Sequence, residues 1–299
     1  MMLADEVAKT KTGKYKDFKM TEDDRYELYI AAWLHDCGKV ATPPHVVDKG
    51  TKLETIFDRI ELIKTRMEIL KRDAEIDFLK RQLNGSLPDY DEEYRNSIKE
   101  IDENIRFIES CNIGGEFMKP ELQERIKSIS KQKLLLNDEW VNILTENEVR
   151  NLNITKGTLL PEERDIINDH ISITIDMLEQ LPYPKNLKNI PEFAGGHHEK
   201  MDGTGYPKGL KADQMSPQAK IMAIADIYEA LTAADRPYKD GKKLSQAMRI
   251  MGFMKNDYHI DEDLFEIFVS SGVYKHYADE HVDAGQIDNV DEEAILGVK

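Results

Sequence analysis

Leu53–Leu83 reads LETIFDRIELIKTRMEILKRDAEIDFLKRQL, with Ile56, Ile60, Ile63, Met67, Leu70 and Ala74 at spacings of 4, 3, 4, 3 and 4. That is a heptad rhythm, which predicts a helix with one apolar seam. A break follows at Asn84-Gly85-Ser86-Leu87-Pro88-Asp89, and the rhythm resumes with Tyr94, Ile98, Ile101, Ile105 and Ile108. Two such helices joined by a turn fold most simply as an antiparallel hairpin, with arms of about 30–45 Å at ~1.5 Å per residue. Two roles stand open for it: an insertion that packs on itself, or an arm through which the chain forms a homodimer or docks a partner.

Outward from the hairpin, helical signals continue in both directions. From Asp23 to Val40 the positions Tyr26, Leu28, Tyr29, Ala32 and Trp33 predict a largely buried helix ending near Gly38. Residues 120–136 and 138–150 read as short helices. Leu160-Pro161-Glu162-Glu163 opens another, since proline in the first turn and acids at the positive end of the dipole both suit an N-terminus. It is predicted to run through His170 to about Leu181, before Pro182 and Pro184 end it. Ser216–Ala233 is an apolar helix containing Asp226, and Leu244–Met254 a further one. The tail after Gly285 is acidic and has no assigned role. Strand-like alternation is nearly absent, so the expected fold class is all-α.

Composition narrows the function. The 299 residues carry 57 acidic and 41 basic side chains, a formal net charge of −16. A polymeric nucleic acid is not an expected partner, because its binder needs a basic face. A small anionic substrate would need a local cluster of cations. No apolar run approaches the ~20 residues that span a bilayer, and the opening MMLADEVAKTKT has no apolar core of a secretory signal. Two cysteines, Cys37 and Cys111, suggest neither a disulfide framework nor a thiolate metal site. The expected location is cytoplasmic.

The remaining signal is a set of nitrogen and oxygen ligands on separate segments. His35 and Asp36 are neighbours in WLHDCGK, His170 lies on the helix after Pro161, and His197 and His198 sit in GGHHEKMDGTGYP. A lone histidine on a helix is ordinarily a packed or surface residue. Asp226 differs, because a carboxylate among Ile221, Met222, Ile224, Ala225 and Ile227 needs an arginine or a metal as partner. Together, four histidines and two aspartates without thiolate suit Fe, Mn, Zn or Ni, and an aspartate can bridge two ions. A two-ion site activates water and clamps the leaving oxygen of a phosphate ester. Lys39, four residues after His35, places an ammonium where a phosphate would develop charge.

HDCGK, His170 after a PEE helix start, HHEKMDGTGYP and ADIYEALTAADRPYK closely resemble the HD-GYP family, HD-type metal phosphohydrolases that linearise cyclic dinucleotides in bacterial signalling. The resemblance covers residues 25–50 and 158–245. It implies an HD-type helical domain with the hairpin inserted: a catalytic core of 1–50 plus 158–245, a helical insertion of 52–157, and a C-terminal extension of 246–299. It implies that His35, Asp36, His170, His197, His198 and Asp226 are ligands of two or three divalent ions, Fe or Mn ahead of Zn or Ni. Lys39 with Asp36 would be catalytic. Lys39, Asp202, Gly203, Gly205, Tyr206, Arg236 and Lys239 would line the substrate, with Arg236 and Lys239 as cations for its phosphates. Gly203 and Gly205 permit close backbone approach. For Tyr206, plain packing, guanine stacking and loop ordering all stand open.

Two departures qualify that picture. The family's ligand set begins with a histidine upstream of the HD pair, and no histidine precedes His35 here. MMLADEVAKTK reads like a helix entered part-way, so an upstream sensor domain is expected beyond this chain. TAADRPY is one residue longer than the usual spacing to the arginine. His45, His259, His276 and His281 read as ordinary surface or supporting residues, and Cys37 as packing. The expected function is hydrolysis of cyclic di-GMP or a mixed guanine–adenine cyclic dinucleotide to a linear dinucleotide or mononucleotide. The alternative is an impaired cyclic-dinucleotide receptor or scaffold. A triphosphate or alarmone hydrolase is disfavoured by the DGTGYP loop.

Overall fold

The computed structural model describes residues 1–85, 89–115, 117–233 and 241–297. These are helical apart from one small ribbon, and they divide into two compact units, Met1–Thr42 with Ile166–Lys299, and Pro43–Asp165. No described helix is long and apolar enough to cross a membrane.

The first unit opens with α1 (Met2–Lys9) and α2 (Glu22–Leu34), followed by a 3-10 turn at Cys37–Ala41. Thr21 and Asp24 close a reciprocal capping box that starts α2. The buried face of α2 is Glu27, Leu28 and Ala31. Here the structure corrects the sequence expectation: Tyr26, Tyr29, Ala32 and Trp33 face solvent, Trp33 being 74% exposed. The reason is a buried carboxylate that periodicity cannot see. Glu27 accepts hydrogen bonds from the Asn189 backbone N–H at 2.6 Å and its side-chain amide at 3.0 Å, so a charged residue occupies the inner face.

The second unit contains α3 (Pro44–Val47), α4 (Ile60–Leu83), α5 (Asp89–Asn112), α6 (Pro120–Ser130), a ribbon of β1 (Lys133–Leu136) and β2 (Glu139–Asn142), and α7 (Glu146–Leu152). Ion pairs Lys64–Glu109 at 3.1 Å, Lys71–Asp102 at 2.5 Å and Arg81–Glu93 at 3.5 Å join α4 to α5. One residue number rises as the other falls, which defines an antiparallel hairpin. Ile63 and Met67 bury against Ile101 and Ile108. Ile56 lies before α4 and is 93% exposed, so it is no part of the seam. α4 is apolar on its opposite face as well, where Leu62, Ile76, Leu79 and Leu83 are exposed.

Residues 133–142, expected as parts of helices, instead form the antiparallel ribbon, with Leu134 opposite Val141 and Leu135 opposite Trp140. Asn137 and Asp138 both have positive φ, 51° and 66°, the two-residue turn that matches strand twist. Leu134 is buried, while Leu135 and Trp140 face solvent.

α8 (Pro161–Asn168) leads back to the first unit, where α9 (His170–Glu179), α10 (Ile190–Gly195) and α11 (Pro217–Thr232) follow. The single helix expected from Leu160 to Leu181 is thus interrupted at Asp169. Ser216 caps α11 by accepting from the Ala219 N–H, with proline at the first position. The chain then adds α12 (Leu244–Asn256), α13 (Glu262–Ser270), α14 (Val273–His281) and α15 (Glu292–Gly297). Met248, Met251, Phe265, Phe268, Tyr274 and Ile295 share one core with Leu28, Phe193, Ile224 and Tyr228. Residues 246–297 therefore complete the core of the first unit.

Candidate metal centre

Three helix ends converge on one point. His35 is the residue after α2, His170 begins α9, and His197 follows α10 by two residues. α2 and α10 run parallel in register: Glu27 meets Asn189, and 162 residues is also the separation of His35 from His197, whose ring centroids lie 4.8 Å apart. Each of these histidines turns Nδ1 to the carbonyl three residues earlier. His35 bonds Ala32 O at 2.7 Å, His197 bonds Ala194 O at 2.6 Å, and His170 bonds Ile167 O. An Nδ1–H donating to a carbonyl leaves Nε2 as a lone-pair donor in a fixed direction, the arrangement metal-ligating histidines use.

Asp36 joins the three. Its Oδ1 lies 3.1 Å from His170 Nε2 and its Oδ2 3.3 Å from His35 Nε2. Asp226, on α11, stands with Oδ1 3.5 Å from the same His35 nitrogen, and its side chain is half-buried rather than enclosed by its apolar neighbours. His198 packs its ring 4.3 Å from His197 and 5.4 Å from His170. Two donor sets result, His170–His197–His198 and His35–Asp36–His197, each with ligand atoms within 4.8 Å of one another. They share His197, and the two oxygens of Asp36 face one set each.

Electrostatics favour a cation here. Burial alone would lower the His35 pKa, yet hydrogen bonds to Asp226 and Asp36 lift it to about 10. The space between those carboxylates therefore holds positive charge tightly. Burial would raise the Asp36 pKa, but His170, His35 and Lys39 hold it well below the usual carboxylate range. His197, pushed down to about 4 by burial, and His198, lowered by burial and by His197, stay neutral, as metal ligation requires. His197 Nε2 is buried with no hydrogen-bond partner, an orphan that native interiors rarely leave without a ligand. Nitrogen and carboxylate donors without thiolate, converging at this spacing, fit divalent transition-metal ions.

The loop from Lys200 to Leu210 is tied to the centre by a residue sequence reasoning overlooked. Glu199 is buried, and its two oxygens accept from the Lys208 N–H at 2.7 Å and the Leu210 N–H at 2.8 Å. Its place directly after the twin histidines was the only signal available. Gly205 packs so closely on the Glu199–Lys200 backbone that a Cβ would overlap it, and Gly203 adopts φ +84°. Asp202 is exposed and caps the turn by accepting from Thr204 N at 2.9 Å and Oγ1 at 2.8 Å. The Tyr206 ring stacks on His198 at 4.9 Å and 16°, and its N–H donates to His198 O at 3.3 Å. These two contacts hold the Tyr206 side chain and backbone against His198. Glu199→Gln is expected to turn an amide donor toward a backbone donor, reducing stability by about 1–3 kcal/mol. Thermal melting with limited proteolysis of this loop reads the effect, and unchanged melting and cleavage would contradict it.

Lys39 lies in the 3-10 turn, not on α2 as the spacing had suggested, with Nζ 2.6 Å from Asp36 Oδ2. Cys37 packs beside the core of the first unit. Arg236 and Lys239 fall outside the described residues. The six expected metal ligands and Lys39 are all gathered at one place.

Comparison with known proteins agrees with this geometry. Residues 146–264 match the model of the HD domain. The chain is similar to 3′3′-cGAMP-specific phosphodiesterase 1 of Vibrio cholerae, 41% identical over 80 residues, 27% of this chain and 18% of that protein. It is 44% identical over 79 residues to a cyclic di-GMP phosphodiesterase of Pseudomonas aeruginosa, 26% of this chain and 18% of that protein. It is 40% identical over 93 residues to a cyclic di-GMP phosphodiesterase of Thermotoga maritima, 31% and 25% of the two chains. The chain thus spans a quarter or less of the length of these relatives. The HHEKMDGTGYP loop, with its twin histidines, lies inside the stretch that matches the HD domain.

Proposed function

We propose that this chain is a metal-dependent phosphodiesterase that hydrolyses a bacterial cyclic dinucleotide to a linear dinucleotide or mononucleotide. Cyclic di-GMP leads and mixed cyclic GMP-AMP follows, in line with the activities for which the relatives are named. The observation that carries the reading is the convergence of three Nε2 atoms on the two oxygens of Asp36.

His35, Asp36, His170, His197, His198 and Asp226 would hold two divalent ions, Fe or Mn in first place. When bound, such ions supply Lewis-acid activation of water and of the phosphoryl group. The chain's own residues do the rest. The carbonyls of Ala32, Ile167 and Ala194 fix the imidazole directions. Lys39 offers its ammonium to a non-bridging phosphoryl oxygen, the local positive charge an acidic protein needs. Tyr206, ordered by its stack on His198, and Asp202 with Gly203 and Gly205 shape the wall beside the nucleotide. The outer apolar face of α4, with Ile76, Leu79 and Leu83 exposed, supports a homodimer through the hairpin.

A receptor that binds without cutting is the second reading, motivated by the absence of a histidine before His35. One experiment separates them: metal content by mass spectrometry, followed by chromatography of cyclic di-GMP and 3′3′-cGAMP incubated with the Mn-loaded protein. Linear product at two ions per chain is expected. Full metal content with tight binding and no product would favour the receptor.

A further inference from the structure

Resting on the metal-centre reading above, we infer that Thr174 is a positioning residue that sets the distance between Asp36 and His170. The side chain is fully buried, one helical turn beyond His170 on α9. Its Oγ1 accepts a hydrogen bond from the Gly38 backbone N–H at 2.9 Å. Gly38 lies inside the 3-10 turn, two residues after Asp36 and one before Lys39. That turn lies directly against the first turn of α9. A Cβ on Gly38 would overlap the His170 carbonyl oxygen, and would stand 2.6 Å from the Thr174 nitrogen and 2.7 Å from Oγ1.

The consequence is mechanical. Asp36 stands between the end of α2 and the 3-10 turn, so the seat of that turn on α9 helps to set how its carboxylate meets the helix. The turn's own bond, Lys39 N–H to Asp36 O at 2.9 Å, makes it a rigid unit. Among the described residues, the hydrogen bond that ties this unit's backbone to α9 is the one to Thr174. Through it, the 3.1 Å approach of Asp36 Oδ1 to His170 Nε2 is held on one side and the Lys39 ammonium on the other. Loss of the acceptor leaves a buried N–H unpaired, which the turn relieves by moving off the helix.

The test compares Thr174→Val, which keeps the shape and removes the acceptor, with Thr174→Ser, which keeps the acceptor and removes a methyl. Mn²⁺ affinity of the folded chain is measured by calorimetric titration well below the melting temperature. Thr174→Val is expected to weaken Mn²⁺ binding by about 10–100-fold, as loss of support around a metal ligand does, while Thr174→Ser stays within about threefold. Equal affinity of both variants and wild type overturns the inference, even where Thr174→Val lowers the melting temperature. A wild-type chain that binds no Mn²⁺ overturns the metal-centre reading itself, and the positioning role with it.

Discussion

Asp36→Asn is expected to lower turnover of the cyclic dinucleotide by ~10²–10³ or more and to strip the chain of metal in the same step. Beside the shared His197, this carboxylate reaches both donor sets, through Oδ1 toward His170 and Oδ2 toward His35. Asparagine keeps one oxygen and replaces the other with an N–H group, which cannot ligate a cation and, where it faces Lys39, meets another donor. It also removes the negative charge that lets four imidazoles and an ammonium share one small volume. Mass spectrometry of the purified variant reads the metal, and product chromatography reads the rate. Wild-type metal content and turnover together would show that the carboxylate is a structural ion-pair partner and no more.

How much of this was written in the sequence depends on the range of the interaction involved. The helices are local objects, and heptads, caps and prolines announced most of them. The hairpin's cross-helix pairs, such as Lys71–Asp102, follow directly from the two seams. The residues gathered at the centre were legible because metal chemistry draws on particular residue types, and because HHEKMDGTGYP is long and specific. Errors arose where a distant partner overrides local pattern. Glu27 sits in the core because Asn189 supplies two donors, and that turns the aromatic face of α2 outward. The ribbon at 133–142 was missed because its signal is the paired positive φ of Asn137 and Asp138, not alternation. Lys39 left the α2 face because α2 stops at Leu34 and the backbone tightens to a 3-10 turn. Thr174 and Glu199 act only on backbone N–H groups remote in the chain or across a loop, and residue identity alone does not point to such contacts.

Lys39→Met separates catalysis from metal binding in opposite directions. The ammonium pairs with Asp36 Oδ2 at 2.6 Å and, 41% exposed, remains accessible to solvent at the edge of the centre. Its removal takes away the cation available to a phosphoryl oxygen as charge builds there, a loss of about 10²–10³ in kcat. Yet the same ammonium competes with any divalent ion for the Asp36 oxygen. A methionine of similar length leaves that oxygen free, so Mn²⁺ affinity is expected to hold or to tighten by a few-fold. A purely structural lysine would give the reverse pattern, a looser Asp36 with weaker metal binding and a rate that falls only in proportion to occupancy. Turnover measured at saturating Mn²⁺ distinguishes the two, since saturation restores a rate limited by occupancy and leaves untouched one limited by the missing charge.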